Sequence, residues 1–455
     1  MTQPVTQPMT EQPSAHERCD ILIIGAGPAG LAAALAAAPS GASITIVDDN
    51  PQPGGQIWRD GPQVVLPALA QQHRTALSQH ANIRLLRSTR VVGLGAPQPG
   101  DKAPALLLED ADRGWTQHSH RIILCTGARE LLLPFPGWTL PGVTGAGALQ
   151  ALIKAGLDVQ GQRIIIAGTG PLLLAAAATA TKARATVVRV AEQAPWRALA
   201  GFAAQMPRWP AKVAQALTLL HPRLRASSHV LEVQGTTQVQ TVRLRKSQHA
   251  EETIACDRVA CGFGLVPNTH LGQMLGCALG GPLSGGQGLA VNAHMRTSVP
   301  GVYAAGENTG FGGSERALVQ GAMAGHAAAG HVKQAEALRP QLARWEGFAQ
   351  VLQASFPLND ALKTLAQPDT LVCRCEDVPY AALTQRKGWI DAKLHTRCGM
   401  GACQGRICGA ATQHLFGWTP APPRHLLAPA RIGTLAACTP APALMPSSEP
   451  AAPSG

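Results

Sequence analysis

The segment CDILIIGAGPAGLAAALAAA constrains this chain more than any other, because an apolar run, a glycine-rich turn and an alanine-rich stretch follow one another as strand, turn and helix. Ile21 to Ile24 predict a strand buried on both faces, as in a parallel sheet. In GAGPAG, Gly25 makes the tight turn, Gly27 lets backbone N–H groups approach a pyrophosphate, and Gly30 lets the helix pack closely on the strand. Pro28 and Ala29 complete the turn into that helix. SITIVDD then supplies a second strand ending at Asp48, close to the roughly 20-residue offset at which a carboxylate meets ribose hydroxyls. A dinucleotide is the expected ligand.

The pattern occurs twice. QRIIIAGTGPLLLAAAATATKA repeats it about one domain length later, which predicts two nucleotide-binding domains. The second loop keeps Gly168 and Gly170 but has Leu173 where a third glycine belongs, and the nearest carboxylate, Glu192, falls one position late. A bulky residue there is expected to push the helix from the strand and alter the phosphate cradle. The occupant of this second site is left open between NAD(P), another adenine nucleotide and nothing.

Composition excludes several classes. The chain has 455 residues with net charge +11, which invites a nucleic-acid reading. No run of five Lys/Arg exists and aromatics are 4%, too few for base-stacking platforms, so no nucleic acid is expected. Two long uncharged stretches, 21–47 and 164–181, are interrupted by the glycine turns and do not read as membrane spans. The N-terminus lacks the basic start and apolar core of an export signal, and a cytoplasmic location is expected. Residues 1–16 and 437–455 are poor in groups that could be buried and are expected to be disordered tails.

Five of the 11 cysteines crowd between positions 373 and 408, the arithmetic of a metal site rather than of a disulfide framework. VCRCED gives Cys373 and Cys375, and RCGMGACQGRIC gives Cys398, Cys403 and Cys408. Glycines at 399, 401 and 405 would let the second loop wrap a metal whose other edge is held by the first. Four thiolates suit a [2Fe–2S] cluster or zinc, although zinc favours wider spacing than CxC. Between 371 and 435 there are eight basic and three acidic residues, an excess that would partly offset an anionic cluster. No cysteine pair of the CxxC type precedes residue 373, and disulfide reduction is not expected.

Three further segments resemble the two-dinucleotide-domain flavoproteins that include the thioredoxin-reductase-like enzymes. PQPGGQIW (Gly54, Gly55, Gln56) is similar to that family's approach to the isoalloxazine ring, and RIILCTGARE places Thr126 and Gly127 at its Ala-Thr-Gly contact. TSVPGVYAAGENTG resembles its second flavin motif, in which Gly306 and Glu307 face the ribityl chain. GFGLVPNT (262–269) is similar to the segment that closes its second domain. The resemblance implies FAD in the first site.

GMGACQGRIC resembles the closing half of a bacterioferritin-associated-ferredoxin-like domain, which implies a [2Fe–2S] cluster on Cys373, Cys375, Cys403 and Cys408, with Cys398 spare. With PFPGWTLPGV and GENTGFGGSERALVQG added, residues 19 to about 435 resemble the larger FAD and iron–sulfur subunit of the opine oxidase, hydrogen cyanide synthase and D-hydroxyproline dehydrogenase group. The fold implied is α/β: two Rossmann-like dinucleotide-binding domains and a small helical [2Fe–2S] domain. The expected partition is 17–150 with 285–330 for FAD, 151–284 for the second nucleotide domain, 331–366 for a helical connector and 367–436 for the cluster.

The function implied is electron transfer within a heteromeric dehydrogenase. An amino-acid-oxidase-like flavoprotein partner would oxidise a C–N bond, and electrons would pass to a quinone or other acceptor, with peripheral association at the inner membrane through the complex. No residue of this chain is assigned a catalytic role. Two other readings are an NAD(P)H-dependent reductase feeding electrons out through the cluster, and a non-catalytic redox-sensing or iron-handling module.

Overall fold

Buried isoleucines set the first sheet. The computed structural model describes residues 16–438, except residue 63 and the segments 247–249, 284–285 and 423–425. The disordered tails expected at 1–16 and 437–455 lie outside the described residues but for their inner edges: a strand begins at His16 and a helix runs to Cys438. Ile21, Leu22 and Ile23 are wholly inaccessible to solvent, as a strand covered on both faces requires.

That strand, His16–Ile24, lies between Ile44–Val47 and Gly114–Leu124, parallel to both, and Ile83–Leu86 extends the parallel part outward. Leu106–Glu109 and Arg90–Leu94 add an antiparallel edge. Val302–Ala304 returns from far along the chain to pair in parallel with Ile122–Leu124. The alanine-rich helix Pro28–Ala37 packs against Gly313–Ala328, and small residues on both let the two backbones approach closely.

A second, parallel sheet has five strands in the order Leu224–Arg225, Thr186–Glu192, Arg163–Gly168, Arg258–Gly262 and Val143–Gly145. Its helix Leu172–Lys182 carries Leu173, which is 1% exposed. Leu173 is accommodated in this sheet because Gly262 lies opposite: a Cβ on Gly262 would stand 3.1 Å from the Leu173 Cδ2. The bareness of a glycine on the neighbouring strand thus leaves the room that the Leu173 side chain fills.

The cysteine segment forms a short hairpin, Leu371–Cys373 with Val378–Pro379, and the helices Tyr380–Thr384, Trp389–Thr396 and Cys408–Phe416 around buried Trp389. Beyond it the chain returns to the first sheet. The buried carboxylate of Glu109 accepts from Arg431 N–H at 2.8 Å and from the Thr434 hydroxyl at 2.7 Å, and it pairs with Arg90 at 2.6 Å. Burial alone would raise the Glu109 pKa, but these donors outweigh it and hold it at about 2. Among the described residues no helix is long and apolar enough to cross a membrane.

Candidate functional site

Segments distant in sequence meet at the carboxyl end of the first sheet. A Cβ on Gly30 would lie 1.8 Å from the Gly25 carbonyl oxygen, so helix and turn touch backbone to backbone. Gly54 donates its N–H to the Ala26 carbonyl at 2.8 Å, and a Cβ on Gly55 would lie 3.0 Å from the Gly27 Cα. GAGPAG and PGGQIW therefore form one surface, with Gln56 exposed at its rim and accepting from Arg59 at 3.0 Å. Gly306 abuts the same helix start, its N–H donating to Gln320 Oε1 at 2.9 Å.

Thr126 joins these segments to a fourth. Its hydroxyl donates to the Asn268 carbonyl at 2.6 Å, Asn268 Nδ2 donates back to the Thr126 carbonyl at 2.9 Å, and Asn268 N–H donates to the Gly127 carbonyl at 3.0 Å. Asn308 Nδ2 reaches the Leu124 carbonyl at 2.8 Å and the Thr126 hydroxyl at 3.3 Å. Burial pushes the Glu307 carboxyl pKa up, while the Arg316 charge opposes the shift. Asn308 Oδ1 and Arg316 Nε are buried with no hydrogen-bond partner. Orphaned polar atoms beside Gly306 and Glu307, together with the glycine surface, are what a flavin dinucleotide would complete, and the residues fit that group.

Asp48 turns inward, Oδ2 accepting from Ala26 N–H at 2.5 Å and Oδ1 from Asn50 N–H at 2.8 Å. Its backbone bonds to Leu86 and Thr89, which with Pro51, Arg87 and Ser88 line a shallow cleft at the sheet's end. The cleft lies beside the strand end that carries Asp48, a feature the motif reading did not include.

Around the second loop, Gly168 and Gly170 hold their expected places and Glu192 closes on them. Its Oε2 accepts from Gly170 N–H at 2.7 Å and its Oε1 from Ala194 N–H at 2.9 Å. Glu192 is 3% exposed, and burial raises its pKa against those donors.

All five clustered cysteines come together. The sulfurs of Cys373, Cys398 and Cys408 lie within 4.8 Å of one another, all three buried. Cys403 touches Cys408 and Cys375, so the remaining two thiols extend the same group towards solvent. Contacts with Cys398 and Cys408 hold the Cys373 thiol well below the ordinary thiol range. A Cβ on Gly401 would lie 2.4 Å from the Cys375 Cβ, so this glycine lets the second cysteine loop close on the first. The thiol set suits a thiolate-bound metal or iron–sulfur centre. The structure places Cys398 in the heart of the group, where the sequence expectation had it spare.

The sequence reading missed the residues between the two centres. Arg129 Nε donates to the Arg406 carbonyl at 2.8 Å, and its NH1 donates to Asn268 Oδ1 at 3.0 Å and the Pro267 carbonyl at 3.2 Å. Burial pushes the Arg129 pKa down to about 10, with the Arg406 charge adding to the effect. Burial and the charges of Arg129 and Arg406 push His270 down to about 4, so its ring is neutral at pH 7. The available signal was position alone: Arg129 stands two residues after Gly127, and Arg406 lies inside CQGRIC.

Comparison with known proteins bears on this arrangement. The pattern of the pyridine nucleotide-disulphide oxidoreductase family matches residues 19–331, which leaves the cysteine segment outside it. An opine oxidase chain of Rhizobium meliloti strain 1021 is 31% identical over 425 residues, covering 86% of this chain and 90% of that one. The HcnB chain of hydrogen cyanide synthase from Pseudomonas protegens is 31% identical over 431 residues, covering 85% and 89%. Among solved structures, L-proline dehydrogenase from P. horikoshii shares the fold with a TM-score of 0.65 at 17% identity, over 92% of this chain and 80% of that one.

Proposed function

Because the chain belongs to the pyridine nucleotide-disulphide oxidoreductase family, in the group of these opine oxidase and hydrogen cyanide synthase chains, we propose that it is the electron-transferring subunit of a heteromeric dehydrogenase. The enzyme class is FAD-dependent oxidoreductase. The substrate is an amino or imino acid of the opine, D-hydroxyproline or glycine type, oxidised at its C–N bond by an amino-acid-oxidase-like flavoprotein partner. The acceptor is a quinone or another small redox carrier. When bound, FAD supplies two-electron chemistry and a [2Fe–2S] cluster supplies one-electron transfer.

Each motif then has a task. Gly27, Ala29 and Gly30 present backbone amides to the pyrophosphate, Gly25 and Pro28 shape the turn into the helix, and Asp48, turned inward onto the Ala26 and Asn50 amides, fixes that loop beside the ribose. Gly55, Gln56, Thr126 and Gly127 bound the ring, and Gly306 with Glu307 bounds the ribityl chain. Cys373, Cys375, Cys403 and Cys408 ligate the cluster, while Cys398 packs against it. The domain partition is 17–150 with 285–330, then 151–284, the connector 331–366 and the cluster domain 367–436, except that the second domain begins before residue 143, because Val143–Gly145 pairs with Arg258–Gly262 in the second sheet.

One observation carries the proposal: Arg129 ties the loop after Thr126 and Gly127 directly to the loop of Cys403 and Cys408. A flavin fold and a thiol cluster joined in this way suit a relay better than two independent functions. The test is anaerobic purification with and without the candidate partner, assay of FAD, iron and sulfide, and dye reduction with opines, hydroxyprolines and glycine. Turnover with one of these acids that requires both chains supports the reading. Turnover driven by NADPH on this chain alone overturns it.

A further inference from the structure

We infer that the second dinucleotide crevice is closed by the chain's own connector, so that the domain serves as a nucleotide-free scaffold and NAD(P)H neither donates nor accepts electrons there. In a sheet of this order, ligands bind beyond the carboxyl ends of the strands where the direction of winding reverses. Here that point is the end of Arg163–Gly168, flanked by Thr186–Glu192 on one side and Arg258–Gly262 on the other.

The place is taken. After the helix Arg339–Ser355, the chain runs across the crevice mouth. Gln193, 4% exposed and immediately after the strand, grips it on two sides: Nε2 donates to the Pro357 carbonyl at 2.8 Å and Oε1 accepts from Asn359 N–H at 2.9 Å. The Phe356 ring lies 3.9 Å from where a Cβ on Gly170 would stand, over the glycine whose bareness would admit a pyrophosphate. Phe356 is itself braced edge-on against Phe202 at 5.1 Å. Downstream, Leu362 and Leu365 are buried in the core of this domain with Phe135 and Phe263. The amide of Gly170 is already satisfied by Glu192.

A dinucleotide would have to unseat Phe356, free Gln193 from two backbone groups and displace the Glu192 carboxylate. Only the fraction of molecules with the connector lifted could bind, and apparent affinity falls by that fraction. Leu173 adds to the case, since it fills space where the motif's third glycine would bring helix and phosphate together. The crevice retains the fold of a nucleotide site and has lost its opening.

The experiment uses the full chain loaded with FAD, titrated separately with NADH and NADPH in a calorimeter. Wild type is expected to give no saturable binding. Phe356→Ala and Gln193→Ala, which loosen the plug from either side, are expected to gain NADH affinity by about tenfold or more. Hydrogen exchange at the Asn359 amide reports the plug independently: slow in wild type, unchanged by NADH, and faster in Gln193→Ala. Saturable binding by wild type overturns the inference, and so does silence in both variants once Asn359 exchanges freely. The first site is untouched by these changes, so either result leaves the FAD assignment standing.

Discussion

Arg129 and Arg406 are 277 residues apart in sequence and joined by a hydrogen bond of 2.8 Å from a guanidinium to a backbone carbonyl. The donor stands beside the flavin motif and the acceptor between two cysteines of the cluster loop. Replacing Arg129 with Ala removes three hydrogen bonds from a charged, largely buried group. The expected loss is about 2–3 kcal/mol in denaturant unfolding, with faster hydrogen exchange at 403–408. Arg129→Lys keeps the charge but cannot span the three acceptors, so it should restore less than half of that loss.

Cys398 and Cys403 separate the possible ligand sets. Cys403→Ser should lose iron and sulfide, whereas Cys398→Ser should retain both, measured by metal and sulfide assay after anaerobic reconstitution. Equal loss in the two variants would move Cys398 into the ligand set, as its position between Cys373 and Cys408 permits.

At Gly30 an alanine methyl would overlap the Gly25 carbonyl oxygen. Gly30→Ala should force helix from turn, cost about 1–3 kcal/mol and leave the purified protein largely without flavin absorbance. Retained yellow colour at wild-type stoichiometry would contradict the placement of the pyrophosphate.

Acid should weaken the return of the C-terminal segment to the first sheet. Glu109 has its pKa lowered from 4.5 to about 2, so its contribution is full above about 4.5 and is lost as pH falls towards 2. Proteolysis of the segment after residue 426 should accelerate over that window in wild type. In Glu109→Gln the segment should be looser already at neutral pH, with a flatter acid dependence.

The glycine turns were legible because backbone approach to a phosphate permits few residue types at fixed spacing, and Gly25, Gly27 and Gly30 meet that demand within six positions. The cysteine grouping was legible for the same reason. What escaped the sequence depends on pairs far apart along it. Leu173 reads as damage to a motif until Gly262 is seen opposite, and the close of the second crevice by Phe356 and Gln193 needs the connector's path through space. Glu109 likewise looks like any acid at the end of a strand until Arg431 and Thr434 arrive beside it.

That last pairing bears on how the molecule is made. The buried acid at the end of a strand formed early in synthesis waits for donors encoded 322 and 325 residues later, so the amino-terminal half emerges from the ribosome with an unfinished margin. Nascent chains stalled just short of residue 431 would expose this seam, while release of the residues that follow would seal it.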